Sequence, residues 1–231
     1  MRKLVEFIKQ LPDTSRTEDY QVFPQSINQV KNSWVFMIKK AERHLVVFGE
    51  LQSEFQGEKQ SFEGISFLVA PLNHFNATVL RRVFPFTAPR RVLKEERSFG
   101  LGDRLGIATI GHIHAFDGYD AYPIFAQQSI RELTLTERTF SDVLDCVTFN
   151  VFEVGYRKGF GADGDHVKKE AELEYALDSG YTMITLDCSE HIHADDKFSS
   201  SEIKSIVPLS NQIKERYLNR IIQIEDYELK F

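Results

Sequence analysis

The chain has 231 residues, of which 42% are hydrophobic, 27% charged and 12% aromatic, enough apolar bulk to bury a sizeable core and too much for a disordered chain. A formal charge of −6 and a pI near 5.7 exclude the basic field that phosphate neutralisation demands, so no nucleic-acid partner is expected. Two cysteines without CxxC spacing exclude a disulfide framework and a structural zinc site, and no run approaches the roughly 20 apolar residues of a membrane span.

The first residues, MRKLVEFIKQLPDTSR, hold no apolar core long enough for a signal peptide, so a cytoplasmic setting without a membrane partner is expected. Residues 1 to about 40 are polar and loosely patterned. Two apolar runs follow, 44–49 (HLVVFG) and 65–70 (ISFLVA), and each reads as a strand. Over residues 76–84, Ala77, Leu80, Val83 and Phe84 recur at helical spacing, and Pro85 closes the pattern.

From about residue 98 the rhythm changes. Residues 122–126 (YPIFA) read as a strand. Phe140, Val143, Leu144, Val147 and Val151 then mark a helix that Thr139 or Ser141 can cap. Residues 157–166 read as a loop, 167–179 as a charged helix ended by Gly180, and 181–186 (YTMITL) as a strand; a final helical pattern covers about 201–222. Strand, loop and helix in alternation are the signature of parallel βα units, whose polar loops at the strand C-termini carry the chemistry. The expected fold is therefore α/β, a (β/α) TIM-barrel-like architecture over residues 98–231 with an N-terminal α/β segment over residues 1–97. Residues 98–231 amount to about half of the roughly 250 that a complete eightfold barrel takes, so the barrel is expected to be incomplete in this chain.

Three polar clusters can carry chemistry. In 100–106 (GLGDRLG) the glycines let the backbone turn, while Asp103 and Arg104 either point into a site or brace the loop as an ion pair. In 127–132 (QQSIRE) amides beside Arg131 suit a polyhydroxylated anion, Gln128 for hydroxyls and the guanidinium for a carboxylate; a polar first helical turn would look the same. The third, 161–166 (GADGDH), sets Asp163, Asp165 and His166 together, with Asp187 and His191 one βα unit later. Carboxylates and histidines on one rim of a parallel sheet can bind a divalent metal cation, and Asp165, His166, Asp187 and His191 are expected to converge there. The competing reading is a set of surface loops.

The stretches SFGLGDRLGIAT (98–109), PIFAQQSIRE (123–132), DVLD (142–145), FGADGDHVK (160–168) and GYTMITLDCSEH (180–191) resemble the tagaturonate epimerase family, in order and over most of the chain from about residue 45. The resemblance implies a metal-dependent barrel enzyme that interconverts the keto-hexuronates tagaturonate and fructuronate in hexuronate catabolism. It implies Asp165 as catalytic base and His166 as metal ligand. Arg104, Gln128 and Arg131 are then the candidates for binding the substrate, with Asp163, Asp187 and His191 as supporting groups. The family's proton-donating Glu and its other metal-binding histidines are expected beyond Phe231, so the chain is expected to be an N-terminal part that is inactive and marginally stable alone. Gly164 stands where relatives usually carry Ala, and Cys188-Ser189-Glu190 where Pro-Ser-Asp is common.

The chemistry constrains the mechanism. The two sugars differ at a carbon β to the ketone, whose C–H neighbours neither carbonyl, so simple enolisation cannot invert it. Retro-aldol cleavage, rotation of the aldehyde and re-formation of the bond would; opposed acid and base groups acting directly on the C–H are the competing route. A metal-dependent aldolase or hydrolase, and a non-catalytic sugar-acid-binding fragment, are the other readings of the same rim.

Overall fold

The computed structural model describes residues 21–191 except 40, 63, 96 and 104, and residues 210–230 except 218, 219, 225 and 226. Backbone contacts divide the chain into two units, residues 1–188 and 189–231.

The first unit begins with an antiparallel sheet of β1 (Gln21–Val30), β2 (Ser33–Lys39), β3 (Arg43–Phe48), β4 (Glu58–Phe62) and β5 (Ile65–Pro71), in the order β1-β2-β3-β5-β4. The stretch before residue 40 thus holds two strands where the sequence reads only as loosely patterned. The reason is that β2 is apolar on both faces. Val35 and Met37 pair with Val47 and Leu45 and face one core, while Phe36 pairs with Val46 and joins Phe48 and Val22 on the other side. A strand buried on both faces lacks the alternation that makes strands visible.

Helix α1 (His74–Val83) follows, its start capped by the Asn73 side chain, which accepts from the Asn76 N–H at 2.9 Å. Ala77, Val79 and Leu80 pack onto the Val35–Met37 face of the sheet. The next four strands form a parallel sheet: β6 (Ser98–Gly100), β7 (Tyr122–Gln128), β8 (Gly161–Val167) and β9 (Met183–Leu186) are neighbours in chain order. Between them run α2 (Thr109–Ala115), α3 (Ile130–Thr136), α4 (Phe140–Val154) and α5 (Glu170–Asp178). Thr139 caps α4 in a reciprocal box with Asp142, as the sequence predicts.

Strand β8 corrects an expectation. Residues 161–166 read as loop because GADGDH contains no β-branched or aromatic residue. The strand forms because its small residues, Ala162 and Gly164, face the helices, while Asp163 and Asp165 line the other face of the sheet. Small size on one side and polarity on the other each hide a strand from propensity.

The second unit holds a 3-10 turn (Ser189–His191), α6 (Asn211–Tyr217) and a hairpin of β10 (Ile221–Ile224) and β11 (Tyr227–Lys230). The final helix expected over about 201–222 is described over Asn211–Tyr217, and 221–224 are strand instead; residues 201–209, 218 and 219 lie outside the described residues. Ile221, Ile222 and Ile224 are β-branched, lose χ1 freedom in a helix, and pair as strand. Among the described residues no helix is long and apolar enough to cross a membrane.

Gly164 marks the closest approach of β8 to α5. A Cβ there would lie 2.9 Å from Ala176 Cβ and 3.0 Å from Ile184 Cδ1, closer than carbon atoms pack. Gly164→Ala is expected to cost about 1–3 kcal/mol in chemical denaturation by forcing α5 off the sheet. Unchanged stability would mean that the helix seats loosely.

Candidate functional site

Two irregularities in strand pairing build the site. Along β7, Ile124 pairs with Gly161, but the register shifts before Ala126 pairs with Ala162 and Gln127 with Asp163. Simple alternation from Ile124 would bring Gln128 to the Asp163 face; the extra residue brings Gln127 there instead. Gln127 Nε2 donates to Asp163 Oδ2 at 3.1 Å, and Thr185 Oγ1 of β9 donates to the same oxygen at 2.8 Å. The Gln127 side-chain Oε1 accepts from the Gly102 N–H at 2.8 Å. A polar row therefore crosses three strands and reaches the loop after β6.

The second shift lies in β8, between Gly164, which pairs with Ile184, and Val167, which pairs with Leu186. Asp165 and His166 occupy the bulge. His166 takes a φ of 52°, a left-handed conformation that costs a β-carbon-bearing residue energy and recurs where a side chain must be aimed. The bulge turns the imidazole outward, 60% exposed, while the Asp165 side chain beside it is 9% exposed. His166 Nε2 lies 3.8 Å from Asp165 Oδ2, and Nδ1 lies 3.4 Å from Asp187 Oδ2, just past β9. Lys168 Nζ approaches the same Asp187 oxygen at 3.8 Å.

His166, Lys168 and Asp187 open onto a cleft of about 620 Å³ that is also lined by Ser129, Ile130, Arg131, Glu132 and Glu172, and Asp165 lies buried beside His166. Two of its carboxylates serve the helices that start there. Glu132 accepts from the Ser129 N–H at 3.2 Å and from its hydroxyl; Glu172 accepts from the N–H groups of Lys168 at 3.0 Å and Lys169 at 3.2 Å.

Asp163 is fully buried, and its Oδ1 has no hydrogen-bond partner among the described residues. Burial pushes its carboxyl above the ordinary carboxylate range; the bonds from Thr185 and Gln127 pull the other way, and the neighbouring Asp165 charge adds to the rise. Asp163 is thus the group of the row that favours its proton.

The structure brings Asp163, Asp165, His166 and Asp187 together around the C-terminal ends of β8 and β9, and sets Arg131 on the same cleft. Gln128 is fully buried and donates to the Asp103 carbonyl, away from the cleft. Asp103 braces its own loop: its carboxylate accepts from the N–H groups of Leu105 (3.2 Å), Gly106 (2.9 Å) and Ala108 (2.7 Å). Arg104 lies outside the described residues, as does the His191 side chain, whose backbone belongs to the second unit. Gln127, Thr185 and Lys168 are the site residues that sequence reasoning left unassigned. Gln127 was adjacent to the residue chosen, and only the bulge separates the two.

The arrangement suits a metal-binding histidine. Nδ1 stands 3.4 Å from the Asp187 carboxylate, the side on which such histidines commonly meet a carboxylate, and Nε2 is the ring nitrogen whose lone pair would face a metal. Among the described residues no cluster of three or more His, Cys, Asp or Glu could hold a metal ion, so His166 forms at most part of a ligand set.

A family model for tagaturonate epimerase matches residues 23–231. The tagaturonate/fructuronate epimerase of Thermotoga maritima is 44% identical over 186 residues, which cover 79% of this chain and 38% of that protein. Crystal structures of a fructuronate-tagaturonate epimerase from Cohnella laeviribosi are similar in fold. A glycerol complex aligns with a TM-score of 0.77 at 39% identity over 99% of this chain and 47% of that one. The native crystal aligns with a TM-score of 0.75 at 38% identity over 100% and 47%. The chain therefore spans less than half the length of the relatives it matches.

Because burial favours neutral Asp163, the folded protein keeps that proton to higher pH than the unfolded chain does. The contribution to stability falls as pH rises from the ordinary value of 3.8 through the raised folded value. Asp163→Asn, uncharged and still able to accept from Thr185, is expected to flatten that fall and to be at least as stable as the parent at pH 7. Denaturation midpoints between pH 4 and 8 measure this. A variant less stable at pH 7 would mean that the bonds to the carboxylate outweigh its desolvation.

Proposed function

This chain belongs to the tagaturonate epimerase family, and from that premise we propose that the protein interconverts D-tagaturonate and D-fructuronate. Asp165 is the base, His166 a ligand to a divalent metal, and Arg131 reads the substrate carboxylate, helped by Arg104. The observation that carries the reading is the setting of the motif pair: Asp165 nearly buried, His166 turned out of the β8 bulge toward the cleft and oriented by Asp187. Strands β6 to β9, parallel and adjacent in chain order, are read as the opening strands of a (β/α) barrel.

Asp165 takes the proton of the hydroxyl on the carbon to be inverted. The bond from that carbon to its neighbour breaks, its electron pair moves into the ketone to give an enediolate, and an aldehyde is left. The aldehyde turns its other face, the bond re-forms, and Asp165 returns the proton. A bound divalent cation supplies Lewis-acid stabilisation of the oxygen charge that develops. Asp163 and Gln127 hold the row beneath Asp165, and Gln128 acts by holding the Asp103 loop, since it is too buried to touch the sugar.

The relatives named above are epimerases, which favours this reaction over aldol or hydrolytic cleavage of a related sugar. Within a full-length enzyme, supplied with divalent metal and tagaturonate, these residues are expected to support formation of fructuronate without release of three-carbon products, whereas the 231-residue chain alone is expected to be inactive. Asp165→Asn is expected to lower kcat by about 10²–10⁴-fold. In D2O the product should carry no deuterium at the inverted carbon; deuterium there would establish direct proton removal and reject the retro-aldol route.

Arg131→Lys keeps the charge and loses the planar fork, so KM is expected to rise by roughly tenfold or more with kcat little changed. Unaltered kinetics would remove Arg131 from the carboxylate site.

A further inference from the structure

Strand β7 ends in two glutamines, Gln127 and Gln128, whose side chains leave opposite faces of the sheet. Both reach the loop that follows β6, and they grip neighbouring residues of it. Gln127 Oε1 accepts from the Gly102 N–H at 2.8 Å, and Gln128 Nε2 donates to the carbonyl of Asp103. A backbone N–H can only donate, so it turns the Gln127 oxygen toward the loop and leaves Nε2 for Asp163 Oδ2, 3.1 Å away. Gly100 makes the room: a Cβ there would lie 2.8 Å from both Nε2 and Oε1 of Gln127. Gln128 is fully buried, where an amide has no water to replace a lost partner. Beyond the two grips the loop is folded on itself, with the Asp103 carboxylate accepting from the N–H groups of Leu105, Gly106 and Ala108.

We propose that Gln127 and Gln128 act together as positioning residues: the two amides clamp the loop after β6 from both faces of β7, so that this stretch of the rim is already formed where it meets the sugar acid. The proposal rests on the epimerase reading for the identity of the sugar, and on the two amide bonds for the residues. Fixing a free loop costs backbone entropy, and a loop that must be ordered at each binding event weakens binding by that amount. Held beforehand, the loop makes its contacts with the sugar without that cost, and neither amide has to touch the ligand. The clamp therefore acts on KM rather than on kcat.

The test is made within a full-length enzyme supplied with divalent metal and tagaturonate. Three variants loosen the clamp by separate routes: Gln127→Met, Gln128→Met, and Gly100→Ala, whose added methyl pushes the Gln127 amide off Gly102. Each is expected to raise KM by about tenfold, with kcat within about threefold of the parent. In hydrogen exchange followed by mass spectrometry, the segment 101–108 is expected to exchange about tenfold faster in all three, while residues 143–152 of α4 exchange as in the parent. The proposal is overturned if the loop keeps its protection, if α4 loses protection with it, or if the loop loosens while KM stays the same. A fall in kcat at unchanged KM overturns it too, because the amides would then act on the base. A parent that binds tagaturonate without epimerising it sinks the proposed reaction, and the Kd of each variant then decides the clamp by the same rise of about tenfold. A parent that does not bind the sugar acid sinks both.

Discussion

Helix α4 carries two apolar stripes, and each belongs to a different core. Phe149 and Phe152 pack with Leu80, Phe84 and the Val35–Met37 face of the antiparallel sheet, while Phe140, Val143, Leu144, Val147 and Val151 pack with Phe125, Phe160 and Ala162 of the parallel sheet. A helix buried on so much of its circumference cannot leave its polar groups unpaired. Asp145 takes Arg81 and His74 at 2.8 Å each, and Asn150 and Glu153 share Arg43 at 2.8 Å. The helix is thus fastened to α1 and β3 by charge and to both sheets by apolar contact, which fixes the two sheets relative to each other. It also seats the loop after β6. Gly106, at a φ of 67°, lies so close that a Cβ would sit 2.9 Å from Val143 Cγ1, and Asp103 folds the same loop around its carboxylate. The position of Gly102, and through it of Gln127, follows from the packing of α4.

The site itself depends on two extra residues in otherwise regular ladders. Without the shift after Ile124, Ala126 would stand opposite Asp163 and Gln127 would point at the helices, so the buried Asp163 carboxylate would lose one of its donors. Without the bulge at Asp165 and His166, strict alternation would send the two side chains to opposite faces of β8 and the imidazole toward the helix layer. The left-handed backbone at His166 is the local cost of that turn, of order 1–3 kcal/mol. The neighbouring packing over-determines it, since Val167 immediately afterwards is buried and paired with Leu186.

The same features decide what the sequence could disclose. The helices at 74–83 and 140–154 and the strands at 43–48, 65–71, 122–128 and 183–186 carry periodic or continuous apolar signals, and all were legible. Strand β8 was not, because a strand that must pass a helix closely on one side and present carboxylates on the other has to use Gly, Ala and Asp, the residues that mark loops. Chemistry survived where periodicity failed: Asp163, Asp165, His166 and Asp187 were all named from clustering, and they meet. Gln127 was passed over for Gln128 because a one-residue bulge leaves no local trace in composition, although it exchanges which of two identical side chains reaches the site. Lys168 falls within the charged stretch 167–179, whose composition suits a helix and gives no sign of strand β8 ending just before it.

Burial falls steeply from Asp163 to His166, and that gradient orders the roles. Asp163 is sealed beneath the row, out of reach of a ligand and inclined to keep its proton, so it can support but cannot exchange protons with solvent-borne substrate. Asp165, beside His166, is nearly buried, so bulk water is largely kept from its carboxylate. His166 stands at the mouth, exposed enough to take a further ligand and tied by Asp187 against rotation. Beyond it lie the permanent cations Arg131 and Lys168. Fixed positive charge and the imidazole therefore share one cleft, while the carboxylates of Asp163 and Asp165 lie buried in the sheet beside it.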